Sequence, residues 1–254
     1  MTLQQLDAQF LARLRTGFAA QLSEYLPKQR WFGSKAKRIH SVQLADCIPV
    51  PLTHSLALIA LASVDFAQGP SETYVVPLMG PSADRSQPAD SVVVRLPVSQ
   101  PASELPLFDA LDNSEFLAAI FRAIANSQSF TGEIGSLRGN PEPPLNGKKA
   151  ESTVSLTPRQ LKAEQSNTSI VYGDRYILKF FRRLEQGLNP DVEIGRFLTT
   201  VAHFPNVPPH CGALTYVSPE PKGLQESKVI TLGILQGFVP NRGDAWRFTV
   251  ESIA

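Results

Sequence analysis

Gln165-Ser-Asn-Thr-Ser169, Ile170-Val-Tyr-Gly-Asp-Arg-Tyr-Ile-Leu-Lys179 and Asn189-Pro-Asp-Val-Glu193 decide how this chain is read. The first segment is a run of small polar residues that reads as a turn. The second holds two apolar stretches around Gly173-Asp174, the signature of a hairpin. The third opens a helix, with Asn189 as N-cap and Pro190 at the first helical position.

In the strand Tyr176–Phe181, period-2 alternation puts Ile177, Lys179 and Phe181 on one face and Tyr176, Leu178 and Phe180 on the other. Lys179 is the single charge among apolar neighbours. An ammonium in such surroundings pairs or loses its charge. A lysine at a sheet rim that snorkels to water is the plainer reading, and the strand alone does not choose between them. The helix from Pro190 to Val201 carries an apolar stripe, Ile194, Phe197, Leu198 and Val201, expected to face the sheet. Glu193 at the edge of that stripe is then placed to meet Lys179, while Asp191 reads as a carboxylate favoured by the helix dipole. A buried pair of this kind is kept whole, because losing one partner costs about 3–5 kcal/mol.

Outward from this core, Leu3, Leu6, Phe10, Leu11, Leu14, Phe18, Leu22 and Leu26 recur at helical spacing and stop at Pro27. Val42–Val50, Leu56–Phe66 and Thr73–Met79 read as antiparallel strands, and Ser91–Val98 as another. Leu105–Asn126 reads as helix, with Asn113 as a possible N-cap. Gly132–Glu151 reads as a loop and Lys228–Gly237 as a strand, followed by a final helix from Ala245 to Ala254. Strands and helices are segregated, which indicates an α+β fold.

At 254 residues the chain has length for one or two domains. A net charge of +1 offers no electrostatic case for nucleic acid or an anionic membrane as partner. Cys47 and Cys211 have no metal-type spacing, and the four histidines are scattered. The N-terminus has no basic start and apolar core, and the longest apolar run, Leu56 to Val64, is too short to span a bilayer. A cytoplasmic protein is expected.

Three features bear on chemistry. Ser166, Asn167, Thr168 and Ser169 form a turn whose backbone N–H groups and hydroxyls can cradle phosphates, although a plain hairpin turn fits the same residues. Leu235-Gln-Gly-Phe-Val-Pro-Asn241 ends a strand, and Gly237 permits close backbone approach; an ordinary strand-to-helix loop fits equally. Trp31 and Phe32 stand among Lys28, Arg30, Lys35, Lys37 and Arg38. That cluster suits an anion or carbohydrate, or an aromatic anchor for the first helix.

Leu26-Pro-Lys-Gln-Arg-Trp-Phe-Gly-Ser-Lys35, the stretch from Glu164 to Leu198, Phe204-Pro-Asn-Val-Pro-Pro209 and Leu235–Trp246 together resemble the N-terminal part of bacterial maltokinases, which are often fused to trehalose synthase. The resemblance implies a cap domain over residues 1–88, a kinase-like small lobe over 89–240, and the start of a large lobe over 241–254. It implies ATP and maltose as substrates, maltose 1-phosphate as product, and Mg²⁺ held by the large lobe. Lys179 is expected at the nucleotide phosphates, Glu193 on Lys179, Ser166 to Ser169 over the phosphates, and Gln236, Phe238 and Val239 along adenine. Phosphoryl transfer needs a positioned nucleophile and a neutralising metal. No His-x-Asp loop or Asp-centred metal motif follows Val239, so no catalytic residue is expected within these residues. The expected product is therefore a fragment of a sugar kinase, inactive alone. The alternative is a non-catalytic module that binds a trehalose synthase or kinase partner.

Overall fold

The computed structural model describes residues 7–53, 55–81, 91–97, 104–143, 145, 156–161, 166–187, 189–219, 228–240 and 245–253. It is an α+β protein built on two antiparallel sheets. Helix α1 spans Ala8–Tyr25, and the Asp7 side chain caps it by accepting from the Phe10 N–H at 2.7 Å. Its buried face is Phe10, Leu14, Phe18 and Leu22, the spacing read from the sequence; Leu3 and Leu6 lie outside the described residues. Each such fully buried side chain contributes about 1.5–3 kcal/mol.

Strands β1 (Ile39–Pro51), β2 (Leu56–Phe66), β3 (Glu72–Met79), β4 (Val92–Pro97) and β5 (Glu104–Asp109) form the first sheet in the order β1-β2-β3-β5-β4. Helix α1 lies against both edge strands, β1 and β4. Gln21 pairs with the N–H and the C=O of Arg95, both at 2.9 Å, which satisfies backbone groups of edge strand β4. The continuous apolar run in β2 has a physical reason: both of its faces are buried. Leu56, Leu58, Ala60, Ala62 and Val64 pack under α1, and Ala57, Ile59 and Leu61 pack into the second core.

That second core lies between the sheets. It contains helix α2 (Ser114–Ala125), capped by Asn113, and one face of a seven-stranded sheet. The strands are β6 (Ser129–Thr131), β7 (Ser136–Pro141), β8 (Pro158–Leu161), β9 (Asn167–Tyr172), β10 (Tyr176–Phe181), β12 (His210–Ser218) and β13 (Lys228–Gly237), in the order β6-β7-β12-β13-β10-β9-β8. The short β11 (Arg183–Leu184) continues from β10 and pairs with β3, so one stretch of chain crosses from the second sheet to the first. Helix α3 is Pro190–Thr200 and α4 is Ala245–Ile253. No helix among the described residues is long and apolar enough to cross a membrane.

The strands β4 and β5, beyond the expected division at residue 88, pair within the first sheet, which runs on to Asp109. Two expectations need correction. Leu105–Asn126 is not one helix: its first residues form β5, Ala110–Asp112 make a 3₁₀ turn, and α2 starts after Asn113. Leu107 and Phe108 are buried by pairing with β4, a tertiary contact that outweighs local helical spacing. Within the expected loop 132–151, residues Ser136–Pro141 form β7, pinned between β6 and β12.

Candidate functional site

Strand β10 carries the candidate residues on its two faces. In the β9–β10 register, Lys179 lies opposite Ser169 and Phe180 opposite Thr168. Lys179 and Ser169 therefore share one face, and Thr168 and Phe180 share the other.

On the first face, Lys179 Nζ donates to Asp191 Oδ2 at 3.0 Å and stands 5.6 Å from the centre of the Phe181 ring. The expected pair with Glu193 is not formed; Glu193 is exposed. The reason is the rotation of α3 about its axis. Val192 is its buried residue, and the expected stripe turns outward, with Ile194, Phe197 and Val201 all exposed. Asp191, beside Val192, is thereby carried to Lys179. The side chains of Lys179 and Asp191 keep 35% and 57% of their exposure, so this is an open pair rather than the buried one the sequence suggested. Such a pair contributes about 0–1 kcal/mol and leaves the ammonium accessible to a ligand.

Ser166–Ser169 is not a turn as a whole. Ser166 precedes β9, while Asn167, Thr168 and Ser169 are strand residues. Thr168 and Ser169 are buried, Thr168 on the face away from Lys179. The Ser169 hydroxyl, on the Lys179 face, is buried without a hydrogen-bond partner. Residues 162–165, between β8 and β9, lie outside the described residues. Gln236 pairs in β13 with Ile177 and His210. Just beyond it, the N–H of Gly237 donates to Pro209 O and that of Phe238 to Arg175 O, both at 2.9 Å. These two backbone donors are already used within the protein, so neither can serve a base. Val239 is exposed. Among the described residues, no group of three or more His, Cys, Asp or Glu side chains is placed to hold a metal ion.

The other face holds groups the motif reading passed over. Arg182 follows β10 and sits on the side of Thr168. Its Nε donates to Thr168 Oγ1 at 3.1 Å and its Nη2 to Asp109 Oδ2 at 2.7 Å. Its carbonyl accepts from Val75 N of β3. One residue thus links β3, β5 and β9, and its guanidinium lies 4.8 Å from the Trp31 ring. A sequence signal existed: alternation from Tyr176, Leu178 and Phe180 puts Arg182 at the end of an apolar face, where a charge requires a partner.

Asp46 is a second junction. A register shift in β1 between Leu44 and Asp46 turns this carboxylate toward the second sheet. It is 1% exposed and accepts from the N–H groups of Cys47, Glu133, Ile134 and Gly135 and from the Tyr216 hydroxyl. Burial, with this hydrogen bond to Asp46 next, pushes the Tyr216 pKa up, so the phenol remains a donor. Gly135 is required here, because a Cβ would fall 2.5 Å from Tyr216 Cζ.

Residues 25–112 match the family model for the maltokinase N-terminal cap domain. The match runs from the last residue of α1 through β5 and ends with the 3₁₀ turn that follows it. Among solved structures, the chain is similar to a glucosamine kinase in complex with glucosamine, ADP and inorganic phosphate, at 17% identity and a TM-score of 0.45 over 91% of this chain and 44% of that one. A glucosamine kinase in crystal form A gives 16% identity, a TM-score of 0.45 and the same coverage. The chain spans less than half the length of these structures. Over residues 25–112 the chain is therefore similar to a maltokinase N-terminal cap domain.

Proposed function

We propose that this chain supplies the cap and the nucleotide-facing sheet of an ATP-dependent sugar kinase of the maltokinase type. The observation that carries the reading is the Lys179–Asp191 pair across β10 and α3, open to solvent, with the unpartnered Ser169 hydroxyl on the same face. A nucleotide phosphate beside Lys179 gains a charge-assisted donor, while Asp191 holds the ammonium in place. The cap-domain match over 25–112 supports maltose as acceptor and maltose 1-phosphate as product in the whole protein. The reading extends to a trehalose synthase as partner and to a cytoplasmic setting.

ATP and Mg²⁺ stand differently in this reading. Lys179 and Ser169 fit the phosphates. The described residues offer no acidic cluster that fits Mg²⁺, so no metal-dependent step is derived for them. Their role is to bind and orient the nucleotide, and the hydroxyl-activating group and metal ligands belong to a further lobe of the whole protein. The 254-residue chain alone is expected to bind ATP more weakly than micromolar and to make no sugar phosphate. Calorimetry with ATP, and an assay of the whole protein with ATP, Mg²⁺ and maltose, test this. Micromolar or tighter ATP binding by the chain, or product formed by it, contradicts the half-site reading. A whole protein that phosphorylates no sugar contradicts the kinase reading.

A further inference from the structure

The cavity between the first sheet and the β8–β9 hairpin lies on the Arg182 side of β10, away from Lys179. Its volume is about 420 Å³, within the range of small-molecule sites. Lys28, Arg30 and Arg182 line it, as do Asp109 and Asp112. Arg182 is 3% exposed, and two of its three guanidinium nitrogens are taken by Thr168 and Asp109. The third, Nη1, is buried with no hydrogen-bond partner. A buried cationic donor left unmatched is costly, and a ligand oxyanion answers that cost.

The electrostatics agree. The lining sets three cations, Lys28, Arg30 and Arg182, against the two carboxylates of Asp109 and Asp112; Asp109 is already matched by Arg182 at 2.7 Å, and Lys28 and Arg30 are exposed residues on the rim. Tyr25 also lines the cavity, and burial, with the Asp109 charge next, pushes its pKa up, so it stays a protonated donor. Cations and a phenol supply donors for a doubly charged group. The side-chain amides of Gln29, Gln160 and Asn167 line the same space and suit hydroxyls.

We propose that this cavity is a second binding site, separate from the nucleotide face, for a small phosphate ester carrying hydroxyl groups. The proposal does not rest on the kinase reading: Arg182, Lys28 and Arg30, which would bind the phosphate, are not on the Lys179 face, and of its residues in β9 only Asn167, opposite Phe181, alternates onto that face. Phosphate recognition comes from Arg182, Lys28 and Arg30, and recognition of the hydroxylated part comes from the amides. Thr168, which holds Arg182, adjoins Ser169 in β9, so an occupant here lies one residue from the opposite face.

Calorimetric titration of the 254-residue chain with glucose 6-phosphate, glucose and inorganic phosphate tests the proposal. Saturable binding of glucose 6-phosphate is expected, with none for glucose and weaker binding for inorganic phosphate. The exposed pair Lys28→Ala/Arg30→Ala leaves the core intact and should weaken binding by about tenfold or more. Lys179→Ala and saturating ATP should leave it unchanged. In nitrogen-labelled arginine spectra, the Arg182 side-chain signals should shift with glucose 6-phosphate and not with glucose. No saturable binding at millimolar ester overturns the site, as does equal binding by the double variant. Loss in Lys179→Ala assigns the binding to the nucleotide face and overturns it too. Inorganic phosphate binding as tightly as the ester overturns the ester specificity.

Discussion

Lys179 and Arg182 leave one stretch of chain toward opposite faces, and their ion pairs differ accordingly. Lys179 meets Asp191 at 3.0 Å with 35% and 57% of the two side chains exposed, whereas Arg182 meets Asp109 at 2.7 Å with 3% and 13% exposed. Water screens the first pair, so it adds little to folding and its ammonium is free to turn to a ligand. The second pair is desolvated, and its value lies in the cost of leaving either partner alone. One strand thus separates an adaptable charge from a structural one.

Breaking the buried pair should have the largest effect. Asp109→Ala leaves the Arg182 guanidinium buried beside an empty position and also removes the acceptor for the Leu111 N–H. A loss of about 3–5 kcal/mol is expected, read as a lower urea midpoint with an unchanged slope.

Acid should probe the buried side next, through His210. This residue is 1% exposed, and burial, helped by the Arg196 charge, lowers its pKa from 6.5 to about 4. The folded state holds it neutral while the unfolded chain takes up a proton near 6.5. Its contribution is therefore complete above pH 6.5 and is lost as pH falls toward about 4. Stability should drop by on the order of 2–3 kcal/mol across that window. The drop should be absent in His210→Gln, as measured by thermal unfolding at a series of pH values.

Asp191→Ala sits at the other end of the comparison. It breaks an exposed pair at a helix whose cap is Asn189, so a loss of about 0–1 kcal/mol is expected. The loss should shrink further in high salt, which screens exposed charges. A loss as large as that of Asp109→Ala would erase the distinction between the two faces.

Much of this arrangement was legible in residue order. The stripe Phe10, Leu14, Phe18 and Leu22, the double-sided burial of β2, the Asn113 and Asn189 caps and the limits of β13 all follow from local patterns. What local patterns miss is set by packing between distant segments. Helix α3 is amphipathic, yet Val192 rather than Ile194 and Phe197 faces the protein, so Asp191 takes the place expected of Glu193. Residues 105–109 have helical spacing but complete the first sheet, because β4 and β3 offer open edges. Asp46 gave no local signal: its role depends on a register shift in β1 and on donors some ninety residues away. Arg182 was legible in part, as a charge ending an apolar face, but its partner Asp109 lies in a strand that sequence spacing read as helix.

In the proposed function, nucleotide meets the Lys179 face and leaves the Arg182 face undisturbed. A titration with ATP followed by backbone amide NMR tests it directly. The predicted result is a set of shifts at Ser169, Lys179 and Asp191, with Asp46 and Asp109 unmoved. Shifts confined to Asp109, Thr168 and Arg182, with Lys179 and Asp191 silent, would contradict it.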